Sequence, residues 1–134
     1  MPKERLNPSS LFPSLELGFS QVLAASGGKT IYISGQTAWD KDKQLIGGTD
    51  LGQQARQALR NVQIAIEAAG GTLSDIVALR IYIVNYRPDQ AEAVSAALRE
   101  FFPEEKRPAS TWIGVSTLAV PEFLIEVEAT AVRE

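Results

Sequence analysis

One stretch of the chain constrains its fold more than any other. Residues 51–69 place Leu51, Ala55, Ala58, Leu59, Val62, Ile66 and Ala69 at steps of three and four, with Gln53, Arg56, Gln57, Arg60, Gln63 and Glu67 in the remaining positions. This is the helical period with one apolar stripe, and such a stripe has to be buried against another element. Both ends are signalled. Asp50 followed three residues later by Gln53 resembles a capping box, and Gly70-Gly71 tolerates the left-handed backbone that stops a helix.

The partner for that stripe is a sheet. Residues 76–84 alternate, with Val77, Leu79, Ile81 and Ile83 on one face and Ala78, Arg80, Tyr82 and Val84 on the other. Residues 30–34 alternate too, and the turn signal Gly27-Gly28 joins them to a weak strand over 15–25, which predicts a hairpin. A polar crossing with Asp40, Asp42, Gly47 and Gly48 then leads into the first helix. Pro88 opens a second helix with a stripe of Ala91, Val94, Leu98 and Phe101, and Pro103 and Pro108 bracket the loop after it. Strands over 111–118 and 123–132 are separated by a short connection containing Pro121, which suits an antiparallel pair. Pro2, Pro8 and Pro13 predict an extended lead-in.

Strands interrupted by two helices predict a single α+β domain over 1–134, with both helices on one face of the sheet. The opposite face would carry Tyr32 and Ser34 or their neighbours, Arg80, Tyr82, Val84, Glu126 and Glu128. That mixture is too apolar for plain solvent and too polar for a core, so a homo-oligomer is expected.

Composition limits the chemistry. The 134 residues include neither Cys nor His, which excludes thiol nucleophiles, imidazole bases and soft-metal centres. Proton transfer falls to carboxylates, hydroxyls, Arg, Lys, Tyr, backbone amides and water. No Asp-rich ligand loop appears, and Asp40-Lys41-Asp42-Lys43 reads as a solvated loop, so neither metal nor cofactor is expected. A formal charge of −3, without a basic patch interleaved with aromatics, argues against nucleic acid. No run of eighteen apolar residues and no apolar N-terminal core are present, and the absence of Cys fits a reducing compartment, so the expectation is a cytoplasmic protein.

Five strings in order carry a resemblance: Ile33-Ser34-Gly35-Gln36, the run 54–62 on the first helix, Ala68-Ala69-Gly70, Phe101-Phe102, and Ile125-Glu126-Val127-Glu128-Ala129. The chain resembles the reactive intermediate deaminase (RidA, YjgF-type) family along nearly its whole length. The resemblance implies a chorismate-mutase-like fold with a mixed six-stranded sheet, a homotrimer whose sheets form a central barrel, and a small-molecule cleft at each subunit interface. It also implies hydrolysis of 2-imino and 2-enamino acids to keto acids and ammonia. An arginine clamps the substrate carboxylate, and a carboxylate helps water to attack.

Carried over residue by residue, Glu126 matches the family's cleft glutamate and is the candidate catalytic group. Gly35 supplies backbone to the ligand. Three positions depart from the pattern. Ser110 follows Pro108-Ala109 where the family has its clamping arginine, Phe19 stands before Ser20-Gln21 in place of a tyrosine, and Ser95 replaces an asparagine. Trp112 lies beside the altered clamp, and Arg80 is the runner-up anion holder, its alternative being an ion pair with an acidic strand neighbour. Arg107 is three residues from Ser110, an odd offset that points it to the opposite face. Weak or absent activity on ordinary 2-imino acids is therefore expected. A non-catalytic metabolite-binding module is the alternative, and an RNA-directed ribonuclease or translation inhibitor ranks third.

Overall fold

The computed structural model describes residues 3–134. Six strands and two helices form, together with short 3₁₀ turns. They are β1 (Glu4–Leu6), β2 (Val22–Ala24), β3 (Lys29–Gln36), α1 (Leu51–Ala68), β4 (Ile76–Val84), α2 (Ala91–Phe101), β5 (Ala109–Val115) and β6 (Ile125–Arg133). Four of the strands make a mixed sheet in the order β3-β6-β4-β5, and β1 and β2 make a separate antiparallel ribbon. The strands of the anticipated six-stranded sheet are thus divided between two sheets. Pro2 of the anticipated lead-in lies outside the described residues.

The helices behave as their sequences require. The Asp50 side chain accepts the Gln53 amide and caps α1, and Gly70 takes a φ of +82° just past its end. Pro88 begins a 3₁₀ turn, Pro88–Gln90, that runs into α2. Leu59, Val62 and Ile66 of α1 and Val94 and Leu98 of α2 join one buried cluster with the inner face of the sheet. Both helices therefore cover the same face.

Strand pairing departs from the sequence reading in three places. The stretch 15–25 is not a strand paired with 30–34. A 3₁₀ turn (Leu15–Leu17) and Gly18 at φ +102° interrupt it, and what remains is a bridge from Ser20 to Ala109 and β2, which pairs with β1. Gly18 is required there because a Cβ would come 2.7 Å from the Leu98 Cβ of α2. Next, β5 and β6 are not neighbours. The β4–α2–β5 segment is a crossover, so β5 runs parallel beside β4, and β6 enters between β3 and β4, antiparallel to both. Finally, β4 carries a bulge between Ile76 and Ala78. The extra residue puts Ile76, not Val77, in the core with Leu79, Ile81 and Ile83.

Gln54 is fully buried on α1. Its Nε2 donates to the carbonyls of Gly48 (2.7 Å) and Glu122 (3.0 Å), and its Oε1 accepts the Leu124 amide (2.9 Å). One side chain thereby fastens the loop before α1 and the connection into β6 to the helix.

Candidate active site

Glu126 is the second residue of β6 and sits opposite Tyr82 of β4. On its other side β3 leaves the ladder, with an irregularity between Ile33 and Gln36. Gly35 lies in that irregularity. A Cβ there would come 2.7 Å from the carboxyl carbon of Glu126 and 2.9 Å from its Cγ, so the glutamate lies directly over the Gly35 backbone. Asn61 of α1 fixes the chain that follows, donating to the carbonyls of Thr37 and Trp39, both at 2.8 Å. Glu126 is half-buried and makes no hydrogen bond or ion pair among the described residues. A carboxylate so placed is free to accept a proton. Gly35→Ala is expected to push the Glu126 side chain off its seat while leaving the core intact, which a crystal structure of the variant, together with a near-normal melting temperature, would check.

The open face of the sheet gathers the polar strand residues where alternation puts them. Arg80 faces Glu128 across the ladder, but the Glu128 Oε1 accepts the Tyr82 hydroxyl at 3.1 Å, and Arg80 stays exposed with no ion pair among the described residues. Tyr32 is 81% exposed on the same face. Tyr32, Ala78, Arg80, Glu128 and Thr130 line a shallow groove of about 260 Å³.

Ser110 and Trp112 belong to the other side. They pair in register with Leu79 and Ile81, whose side chains are buried beneath the helices, so both point to the helix side of the edge strand β5. The Trp112 indole N–H donates to Ser110 Oγ at 3.1 Å. The Phe19 ring stands 6.1 Å from that of Trp112, and Phe12 stands 6.3 Å from Phe19. Gly18 rests against the Ser95 carbonyl of α2. Ser95 is fully buried and its hydroxyl has no hydrogen-bond partner among the described residues. Phe19, Ser110 and Trp112 are thus brought together with Ser95 close by, Gly35 and Glu126 are brought together separately, and Arg80 shares the Glu126 face.

Arg107 does not reach the Ser110 cluster. It is buried, with Nε donating to the Phe102 carbonyl (3.1 Å) and Nη1 to the Leu15 carbonyl (2.6 Å), while its own carbonyl accepts the Ser20 hydroxyl (2.6 Å). It braces the segment that carries Phe19 against the entry to β5. Arg5 reaches the same carbonyl at 3.3 Å, and partial burial lowers its guanidinium below the usual arginine value.

This arrangement has counterparts. Residues 13–133 match the family described as endoribonuclease L-PSP. The chain belongs to that family. Among its relatives are the 2-iminobutanoate/2-iminopropanoate deaminase of Dermatophagoides farinae, 30% identical over all of both chains, and the 3-aminoacrylate deaminase RutC of Acinetobacter baylyi, 30% identical over 98% of each. A solved structure of a Rid-family protein of unknown function, YyfB from Yersinia pestis, is 40% identical and superposes with a TM-score of 0.92 over 99% of this chain and all of that one. RidA from an Antarctic Psychrobacter, 28% identical, gives 0.70 over 86% of this chain and 88% of that one.

Within this L-PSP member, three residues that matter to the site escaped sequence reasoning as structural anchors: Gln54, Asn61 and Arg107. Gln54 and Asn61 lie inside the run 54–62 that carried the resemblance. Polar residues at the edge of an apolar stripe were the available signal. For Arg107 the offset from Ser110 excluded a clamp without revealing what it holds.

Proposed function

We propose that this protein hydrolyses imines or enamines to a carbonyl product and ammonia in clefts formed between copies of a homotrimer. The observation that carries the reading is Glu126, a half-buried carboxylate with no partner among the described residues, seated over exposed glycine backbone. Relatives named as imine and aminoacrylate deaminases lend it their chemistry. Glu126 takes a proton from water as the water oxygen bonds to the imine carbon. The carbinolamine so formed from the protonated imine receives that proton on nitrogen, the C–N bond breaks as the remaining hydroxyl proton passes to Glu126 and on to solvent, ammonia leaves and the C=O bond forms. No group beyond carboxylate and water is needed.

Assembly follows from the placement of the two clusters. Glu126 and Ser110 occupy opposite sides of one sheet, so a cleft containing both takes the Glu126 face from one copy and the Ser110 edge from another. The open face, with Tyr32 and Tyr82 exposed or half-exposed, is the surface to be covered. Tyr82→Asp places a charge on that face and removes the hydroxyl that Glu128 holds. Sedimentation should show the variant shifted toward the 14.5 kDa monomer, whereas a monomeric wild type would defeat the trimer.

The reading is tested by generating imines in situ with an amino-acid oxidase and following their loss and the release of ammonia above the spontaneous rate. Acceleration on any imine supports it, and none across a broad panel removes it. One observation favours a second reading, a module that binds a metabolite without turning it over. Ser110, where the resemblance puts the family's clamp, accepts the Trp112 indole N–H. On ordinary 2-imino acids the loss of a charge-assisted bond is worth about 1.5–3 kcal/mol, so rates one to two decades below those of arginine-bearing relatives are expected. A matching rate would contradict that expectation. An RNA-directed reading rests on the family's endoribonuclease description alone, and Arg56, Arg87 and Arg99 are each paired with a carboxylate. The Arg99 hydrogen bond and charge also hold the Glu92 carboxyl below its usual range.

A further inference from the structure

We propose that the cleft selects nitrogen-bearing ligands without a carboxylate, namely imines, enamines or amines on an aromatic or otherwise apolar skeleton. The inference rests on the reading that Glu126 of one copy faces the Ser110 edge of another, and it names the ligand class of that site. Phe12, Phe19 and Trp112 form a row of rings, with centroids 6.3 and 6.1 Å apart at interplanar angles of 71° and 59°. These are edge-to-face and tilted geometries, and Phe12, 58% exposed, leaves the outer end of the row open to a ligand. The indole is fixed by its bond to Ser110 Oγ at 3.1 Å. Ser110 in turn keeps its own hydroxyl hydrogen for a ligand.

Charge decides what such a wall accepts. Ring faces carry negative quadrupole potential and attract cations. The nearest cation in sequence, Arg107, is buried and holds the Phe102 and Leu15 carbonyls, so it supplies no countercharge to an anion at Ser110. Arg80 shares the open face with Glu126 but sits opposite Glu128, two residues further along β6, and so is displaced from the Glu126 carboxylate rather than beside it. The other wall contributes Glu126, a negative group with no partner among the described residues. Both walls therefore favour a protonated or partly positive nitrogen. A carboxylate would meet the rings on one side and like charge on the other, desolvated on both.

Two probes of matched shape test this, 2-phenylethylamine and 3-phenylpropanoate, with dissociation constants measured by ligand-observed NMR on the full-length oligomer. The amine should bind at least about tenfold more tightly. Trp112→Leu and Phe19→Leu should each weaken the amine severalfold while leaving the weak carboxylate binding unmoved. Ser110→Arg should reverse the preference, and where its melting temperature shows a damaged fold, the two leucine variants carry the test. Equal or tighter binding of 3-phenylpropanoate overturns the proposal, as does failure of both probes to bind at millimolar concentration. Hydrolysis reads the other proposal separately. A protein that prefers the amine yet accelerates no imine keeps this ligand class and loses the catalytic role.

Discussion

Replacing Glu126 with Gln should cut the turnover of whichever imine the protein accepts by two to four orders of magnitude. The substitution keeps the shape of the side chain over Gly35 and removes only its ability to take a proton from water. Because Glu126 has no partner among the described residues, no bond inside the chain is lost, and the melting temperature should stay close to wild type. Glu128→Gln is the control. Glu128 sits two residues along on the same face and accepts the Tyr82 hydroxyl, a bond the amide oxygen of glutamine can keep, so assembly and rate should both stay close to wild type. Rates are compared after subtracting spontaneous imine hydrolysis. An E126Q rate within threefold of wild type would remove Glu126 from the mechanism.

The largest effect on stability should come from Gln54→Leu. Leucine fits the volume but leaves the Gly48 and Glu122 carbonyls and the Leu124 amide without their partner. These groups are part-buried, and a buried group left unsatisfied costs about 1–3 kcal/mol, so a loss of about 1–3 kcal/mol is expected. Denaturant unfolding at fixed protein concentration measures it, since assembly makes apparent stability depend on concentration. A loss below about 0.5 kcal/mol, the range of an ordinary surface substitution, would mean that water satisfies those groups.

Local structure was legible in the sequence to the extent that local signals determine it. The α1 stripe with its Asp50 cap and Gly70 stop, and the strand Ile76–Val84, stand where period and punctuation put them. Pairing was not legible, because neighbouring strands in sequence need not be neighbours in the sheet. Pro121 in a short connection suited a hairpin, yet the α2 crossover places β5 parallel beside β4, and β6 takes the other edge of β4 instead of the free edge of β5. The Val77 bulge shifts a face by one residue with no cue in composition. At the candidate site, alternation along β4 and β6 correctly grouped Arg80, Tyr82, Glu126 and Glu128. Which side Ser110 faces needed the β4–β5 register, and that register is tertiary information.

The position of β6 bears on how the chain folds as it is made. The last strand in chain order among the described residues is an inner strand of the sheet, flanked by β3 and β4. Until residues 125–133 leave the ribosome, β3 on one side and the β4–β5 pair on the other share no strand, and the apolar stripe of α1 has only part of its floor. Closure then joins residues about a hundred positions apart, such as Lys29 with Arg133, a long-range contact of the kind that slows folding. Nascent chains stalled before this segment emerges should therefore be sensitive to protease and prone to capture by chaperones, and chains released from that point should become resistant in a single late step.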